Sequence, residues 1–146
     1  MNRENFENLV SKAKQSNPTW FEMSDENHII DLDKMSELES EYSVTFPESL
    51  KHFLSVYGSG YFAFTSILSP FPDNEDSLWD QIKVYSLPSD FIPISENGCG
   101  DYYGFKVTDG VCSEEVYFLD HESEYKVGSI EYSSFYEFVV STGLKN

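Results

Sequence analysis

Basic residues are scarce in this sequence of 146 residues. There are 9 Lys and Arg against 26 Asp and Glu, which gives a formal net charge of −17 and a pI near 4.2. The scaling of folded surface with mass gives roughly 7,600 Å², or about one uncompensated negative charge per 450 Å². Such a surface repels phosphate backbones and anionic lipids, so the composition argues against direct nucleic-acid binding and membrane adhesion and predicts a basic partner.

Cysteines and long apolar runs are also few. Neither Cys99 nor Cys112 lies in a Cys-x-x-Cys pair, which favours free, buried thiols in a reducing cytosol and leaves a disulfide between them open. The apolar stretches, such as residues 61–64, are too short to cross a bilayer. The first ten residues contain acids and no apolar signal region, and the last six carry no lipidation motif, so we expect a cytoplasmic protein.

Apolar and aromatic residues are abundant in contrast. Hydrophobic residues make up 40% of the chain and aromatic residues 16%, including 12 Phe and 10 Tyr. This content is ample for a packed core, so the high charge does not imply disorder. Because the length suits one domain and the chain shows no repeat, low-complexity tract or linker, we predict a single domain over residues 1–146.

Helical signals come first along the chain. An apolar stripe predicts a helix that Asn17-Pro18 ends, since the residue before proline leaves the helical region. A second helix is predicted over about 32–42 with Asp31 as its N-cap. A third follows residues 45–48, which have the spacing of a capping box, and stops at Gly58. The stripe of the first helix is Phe6, Leu9, Val10 and Ala13.

Strand signals dominate the second half. Aromatic and β-branched runs predict strands at 61–68, 91–94, 101–107, 115–119 and 127–130, with Pro93 favouring an edge or a strand end. A short helix is expected around Leu78 and Ile82, and a closing helix after Ser134, which has a capping-box partner in Glu137. This order predicts an α+β fold with a mixed, mainly antiparallel sheet covered by helices.

Candidate catalytic and metal-binding motifs are weak. Cys99, Cys112 and His121 lack a close ligand pair and a fourth ligand for zinc. The glycine-rich stretch 98–104 precedes a predicted strand and lacks the dinucleotide spacing, so it is interpreted as a turn that needs positive φ. His52 is expected to be structural or solvent-facing. We predict no catalytic residue, no metal and no cofactor, and therefore no enzyme.

Several short motifs occur in the order of a known family. The pieces are an acidic helix with Glu39, then residues 46–50, 57–60, 91–95, 97–103, 116–122 and 133–138. This pattern, strongest over residues 30–142, resembles the SUKH superfamily, which includes yeast cell-wall-synthesis regulators of the Smi/Knr type and many bacterial immunity proteins. The motif matches are Glu39, Pro47, Tyr57, Gly98, Gly100, Asp101 and Asp120, which serve either as fold determinants or as contacts.

The resemblance implies a function that needs no reaction by this chain. It is similar to the single-domain antitoxins that are paired with LXG-type toxins. Such an immunity protein would bind a basic toxin, expected to be a nuclease, and cover its active-site cleft. The alternative is a non-catalytic scaffold module related to cell-wall-synthesis regulators, and a third hypothesis is a small-ligand binder or enzyme that uses the 98–104 turn. Self-association into a homo-oligomer is also open.

Contacts with such a partner are expected from acidic loops and exposed aromatic residues, although a solvated acidic face is the default interpretation of these clusters. Candidate aromatic anchors are Tyr61, Trp79, Tyr102 and Tyr103. The residues predicted to bind the partner are Asp73, Glu75, Asp76, Asp80, Glu96, Asp101, Tyr102, Asp120, Glu122 and Glu124.

Overall fold

Helices surround an antiparallel sheet in the computed structural model, which describes residues 1–24 and 28–145. This arrangement confirms the predicted α+β class. The described residues contain five α-helices: α1 Arg3–Ser16, α2 Leu32–Tyr42, α3 Glu48–Val56, α4 Leu78–Tyr85 and α5 Phe135–Gly143. They also contain seven strands: β1 Gly60–Phe62, β2 Thr65–Ile67, β3 Phe91–Glu96, β4 Tyr102–Thr108, β5 Val111–Cys112, β6 Val116–Asp120 and β7 Lys126–Tyr132.

The main sheet has the order β3-β4-β6-β7, with β5 paired to β4, and each of these pairs is antiparallel. β3 lies at one edge, as Pro93 predicted, and a bulge interrupts its register between Pro93 and Ser95. A proline is tolerated there because an edge strand leaves half of its backbone groups outside the ladder. The β1–β2 hairpin adjoins this edge, because the Leu68 N–H donates to the Ile94 carbonyl over 2.8 Å.

The predicted single strand over 61–68 is wrong, because the chain turns back inside it. β1 and β2 pair with each other, with Phe62 opposite Thr65, and the turn between them is Ala63-Phe64. Ala63 takes a φ of +51°, a region that side chains other than glycine, asparagine and aspartate seldom adopt. Neither turn residue is one of the usual hairpin signals, so the sequence gives no local sign of the turn.

Two helix caps agree with prediction and one does not. Asp31 Oδ1 accepts from the Lys34 N–H over 2.8 Å, and Ser134 Oγ accepts from the Glu137 N–H over 3.2 Å. The predicted capping box at 45–48 is wrong, because α3 begins at Glu48 with Pro47 as its N-cap. Thr45 instead bridges to Val111 in the β5 region.

Glu39, on α2, stabilises the segment that leads into α3. Its Oε2 accepts from the Phe46 N–H over 2.8 Å, and the Lys51 ammonium lies 3.4 Å from the same oxygen. Both side chains are largely buried, at 17% exposure for Glu39 and 15% for Lys51. This family-motif residue therefore acts as a fold determinant that joins α2 to α3.

The core lies between the sheet and helices α1, α3 and α5. Phe53 contacts Phe62 and Phe135 at ring-centroid distances of 5.0 and 5.2 Å, so α3 connects the hairpin to α5. On α1, Phe6 and Val10 are buried as predicted, whereas Leu9 is exposed. The helical stripe is thus narrower than the sequence spacing suggested.

A buried histidine joins the first and last helices. His52 Nε2 lies 2.7 Å from Glu7 Oε1, and Nδ1 lies 2.6 Å from the Tyr136 hydroxyl. Both ring nitrogens are satisfied inside the protein, so the structural role that we expected for His52 is confirmed. Among the described residues, no helix is both long enough and apolar enough to cross a membrane.

Candidate functional site

A groove with a volume of about 740 Å³ opens beside the β1–β2 hairpin. Its other borders are the end of β3, the following turn and the loop before α4. Two exposed aromatic side chains of the hairpin contribute to it: Tyr61 is 57% exposed and Phe64 is 49% exposed. Tyr103 and Phe138 also line it. Part of the aromatic surface in the groove is therefore exposed to solvent.

Carboxylates border this groove, and its described lining residues include no basic side chain. Glu75, Asp76 and Glu96 are among its lining residues, and none of the described lining residues is Lys, Arg or His. The surrounding sequence has the same bias, because residues 52–105 contain seven Asp and Glu but only one Lys or Arg, which is Lys83. The local potential is therefore negative, and it is strengthened by the low-dielectric walls of a cleft.

A second depression of about 610 Å³ adjoins the first. Tyr61, Ser66, Glu75 and Asp76 line both, and Asp73 and His28 line the second. The predicted contact residues Asp73, Glu75, Asp76 and Glu96 are thus brought to one surface by the fold. We call this surface, with Tyr61 and Phe64, the acidic–aromatic groove.

The acidic loop between β2 and α4 is supported by hydrogen bonds within and next to it. Buried Ser69 accepts at Oγ from the Phe71 N–H over 3.1 Å and from the Asn74 side-chain amide over 2.7 Å. Its carbonyl accepts from the Leu78 N–H over 2.8 Å, and Trp79 Nε1 donates to the Pro70 carbonyl over 2.6 Å. The loop therefore presents its carboxylates on a fixed backbone.

The hairpin wall is anchored at both ends. Ser95 Oγ donates to the Ser66 carbonyl over 2.7 Å, and the Phe64 N–H donates to the Gly143 carbonyl over 3.1 Å. The Trp20 ring packs against Phe64 with 4.9 Å between ring centroids. Because strand β3, α5 and the 3-10 helix Pro18–Phe21 all brace the hairpin, its aromatic side chains stay at the groove.

The glycine-rich turn after β3 also borders the groove, through Asn97 and Gly98. Gly98 has φ +81° and Gly100 has φ +92°, which confirms the interpretation of this stretch as a turn that needs positive φ. Asn97 Oδ1 accepts from the Cys99 and Asp101 N–H groups over 2.8 and 3.2 Å, in the manner of an Asx turn. The turn is then followed by β4, not by the helix that a dinucleotide site would require.

Asp101 ties this turn to the loop after β6. Its Oδ2 accepts from the Asn97 side-chain amide over 2.9 Å, and its Oδ1 lies 3.0 Å from the His121 backbone nitrogen and 2.6 Å from His121 Nδ1. The hydrogen bond from Asn97, followed by those from His121, lowers the pKa of Asp101 to about 2. The Asp101 hydrogen bond in turn raises the pKa of His121. We call this pair the Asp101–His121 clasp.

The acidic residues after β6 form a second surface. Asp120 Oδ1 accepts from the Glu122 N–H over 2.8 Å and begins the 3-10 helix His121–Ser123, while Glu122 and Glu124 are exposed. Glu124 and Tyr125 have φ values of +58° and +56°, an uncommon conformation for two successive residues with side chains. The Tyr125 hydroxyl donates to the Gly100 carbonyl over 3.2 Å, so this loop also braces the turn.

Tyr102 does not lie where a partner can reach it. The expectation that it is an exposed anchor is wrong, because it is only 2% exposed and its hydroxyl donates to Gln81 Oε1 over 2.5 Å. Burial raises its pKa. Trp79 is also half-buried, stacked on Tyr42 with 3.7 Å between ring centroids. Of the four aromatic candidates, Tyr61 is the exposed one, whereas Tyr103 is half-buried at the groove.

The cysteines do not form a reactive or bridged pair. Both are free, and only Cys112 is buried, so the expectation of two buried thiols is wrong for Cys99, which is exposed. Burial raises the pKa of the Cys112 thiol to about 12, which keeps it protonated and unreactive at neutral pH.

Asp101, Asp120 and His121 are the one described group of side chains with metal-ligand spacing, with ligand atoms within 4.8 Å of one another. Here Asp101 and His121 already satisfy each other, since His121 Nδ1 lies 2.6 Å from Asp101 Oδ1. Asp120 Oδ1 accepts from the Glu122 N–H. Hydrogen bonds among the described residues therefore account for the closeness of these three side chains.

The predicted contact residues divide between two surfaces and the core. Asp73, Glu75, Asp76 and Glu96 lie at the acidic–aromatic groove, Asp120, Glu122 and Glu124 lie after β6, and Asp80 is exposed on α4. Sequence reasoning missed Phe64 because its run was interpreted as one strand, and a hairpin turn inside that run is what brings it to the groove.

The comparisons with known proteins agree with this fold. The family described as SUKH_6, SMI1-KNR4 cell-wall, matches residues 32–139, a range that runs from the start of α2 into α5. A search of curated proteins found no match. Since the family match covers most of the sequence, the chain belongs to the SMI1-KNR4 family SUKH_6 of the SUKH superfamily.

Proposed function

We propose that this chain is an immunity protein, a single domain that binds a basic polymorphic toxin in the cytoplasm and neutralises it. The observation that carries the proposal is the acidic–aromatic groove, whose larger depression is lined by Glu75, Asp76 and Glu96 and by no described Lys, Arg or His. The net charge of −17 supports it, because a nuclease that grips phosphate needs a basic cleft. The antitoxins paired with LXG-type toxins are the subtype that we favour.

Family membership supports a binding role. The SUKH superfamily includes immunity proteins and SMI1/KNR4-like members, and its domains are generally non-catalytic immunity or regulator proteins. Inhibition then requires no reaction by this chain. The acidic surface accelerates the encounter with a cationic toxin, and the docked domain blocks substrate from the cleft by its bulk and its charge.

The rigidity of the groove favours tight complex formation. The acidic loop, the hairpin and the glycine-rich turn are each held by hydrogen bonds to buried or backbone groups. A surface that is already ordered loses little conformational entropy when its partner docks. The structure of the free chain is therefore suited to a stoichiometric inhibitor.

Co-expression with the toxin encoded beside this chain tests the proposal. We expect the chain to restore growth of cells that produce the toxin and to co-purify with it in a fixed stoichiometry. The matched control is a variant with Asp33→Asn and Glu41→Gln, which removes two exposed charges of α2 and should protect equally well. If no complex forms and the cells still die, the proposal is wrong, and a scaffold role in cell-wall regulation becomes the better hypothesis.

A further inference from the structure

We infer that the acidic–aromatic groove receives an extended, arginine-bearing segment of the partner. This inference rests on the proposed function, because the toxin is the protein that would supply the segment. It goes further in naming the place of contact and the side chain that is recognised. Three features of the groove carry it: its charge, its aromatic surface and its hydrogen-bonding groups.

The charge of the groove selects a cation. Glu75, Asp76 and Glu96 approach it from two different walls, the acidic loop and the end of β3. Elsewhere in the described chain, carboxylates such as Glu39 and Asp101 have cationic or hydrogen-bonding partners. A cation that enters between the two walls is attracted by carboxylates from both, whereas an anion would be repelled by both.

The aromatic surface favours arginine over lysine. Tyr61 and Phe64 are the exposed rings of the hairpin, and Tyr103 lies in the same groove. A guanidinium group stacks its plane on such rings while its edge donates to carboxylates, whereas an ammonium group is more strongly hydrated and has no plane to stack. Aromatic rings beside carboxylates therefore suit a guanidinium group.

The polar lining suits an extended backbone. Ser66 and Gln81 stand among the lining residues. The Ser66 hydroxyl and the Gln81 amide nitrogen can form hydrogen bonds with peptide groups, while the Gln81 oxygen accepts from Tyr102. The groove volume of about 740 Å³ exceeds what one side chain fills, and the adjoining depression lengthens it past Tyr61. A short segment with an arginine at its centre therefore fits better than an isolated side chain.

A defined peptide tests the inference directly. Acetyl-Gly-Arg-Gly-Arg-Gly-amide is titrated into the ¹⁵N-labelled chain at low salt, with the peptide that carries Gln in place of Arg as reference. We expect the arginine peptide to shift the amide resonances of residues 61–66 and 95–98, and the Gln peptide to leave them unchanged. Shifts spread evenly over the acidic surface, or none at all, would overturn the inference.

Matched variants locate the contact. Tyr61→Ala and the double variant Glu75→Gln with Glu96→Gln should each weaken peptide affinity about threefold to tenfold, as expected for one cation–π contact or two exposed ion pairs. Val84→Ala, which truncates a side chain 69% exposed on α4, and Asp33→Asn with Glu41→Gln should have no effect. Equal weakening by the controls would show that binding follows net charge alone and would overturn the inference.

The same variants separate this inference from the proposed function. If the wild-type chain neutralises the toxin and Tyr61→Ala and the Gln double variant do so with unchanged affinity, the groove is not the contact, while the immunity role stands. If the wild-type chain takes the arginine peptide in the groove but does not bind the toxin, the site stands and the proposed function fails.

Discussion

Asp101 illustrates how one acidic side chain supports the backbone of a neighbouring surface. Its two oxygens accept from Asn97 and from the backbone and ring of His121, and the side chain is only 13% exposed. Asn97 lines the acidic–aromatic groove. The Asp101 carboxylate therefore helps to fix the turn that carries Asn97, and its loss would loosen that turn.

The clasp predicts a specific pH dependence. Asp101 has a lowered pKa of about 2, so its contribution to stability is present above the ordinary Asp value and is lost as the pH falls towards 2. His121 has a raised pKa, so its contribution is full below about 6.5 and is lost as the pH rises through the raised value. The clasp thus stabilises the fold most between about pH 4 and pH 6.5.

Asp101→Asn should remove that dependence. We expect the pKa of His121, followed by NMR, to fall towards its ordinary value of about 6.5. In urea denaturation, the loss of unfolding free energy relative to wild type should be larger at pH 5 than at pH 9. Asp90→Asn, at an exposed aspartate before β3, is the control and should leave the His121 titration unchanged. An unaltered His121 pKa in Asp101→Asn would contradict the clasp.

Gly98, in the turn between β3 and β4, and Gly104, in β4, are required for different physical reasons. A Cβ on Gly104 would lie 2.1 Å from the Ile92 carbonyl oxygen and 2.6 Å from Phe91 Cζ, so the strands could not keep their spacing. At Gly98, with φ +81°, a Cβ would meet nothing within 4 Å. The first position is fixed by packing, and the second only by its backbone conformation.

Alanine substitutions should separate these two effects. Gly98→Ala should lower the unfolding free energy by about 1–2 kcal/mol, the usual penalty for a left-handed residue. Gly104→Ala should lower it by more than about 3 kcal/mol, because overpacking here involves backbone atoms that cannot rotate away. Chemical denaturation followed by circular dichroism measures both. Similar losses for the two variants would show that the strands separate easily at Gly104.

Elements whose signals are local could be predicted from the sequence, and elements built by distant contacts could not. The bounds of α2 and the cap of α5 follow from side chains within three or four residues, so pattern reasoning found them. The entry to α3 depends on Glu39, seven residues earlier, which no local rule identifies. The hairpin turn at Ala63 likewise depends on packing against α5 and Trp20, because its residues carry no turn signal.

The candidate site shows the same limit. The acidic loops and Tyr61 were found because charge and aromatic content are visible in a sequence. The prediction for Tyr102 was wrong because successive side chains of β4 point to opposite faces of the sheet, and the sequence does not show which face is covered. The structure buries Tyr102 and leaves Tyr103 half-buried at the groove. The meeting of Glu75 and Glu96 across a groove depends on tertiary contacts between β2 and β3.

The charge of the whole molecule is unevenly distributed. Lys and Arg residues lie mainly on the helices, including Arg3, Lys12 and Lys14 on α1, whereas residues 52–105 contain no Lys or Arg other than Lys83. An uneven field orients a cationic partner before contact and raises the association rate, and salt screens it over about 8–10 Å. The position of each charge should therefore matter as well as the total.

Charge reversal at two places tests this at the scale of the whole molecule. Asp73→Lys with Glu75→Lys and Glu122→Lys with Glu124→Lys each change the net charge by the same amount, from −17 to −13. Only the first pair of substitutions lies at the acidic–aromatic groove. We therefore expect the first double variant to associate with the toxin about tenfold more slowly at low salt, with a weaker dependence of the rate on ionic strength. The second double variant should change the association rate less. Stopped-flow kinetics across a salt series measure both, and the rates should converge at high salt because screening removes the difference. Association rates that neither pair changes would remove both loops from the encounter, and equal slowing by the two pairs would assign steering to the net charge rather than to the groove.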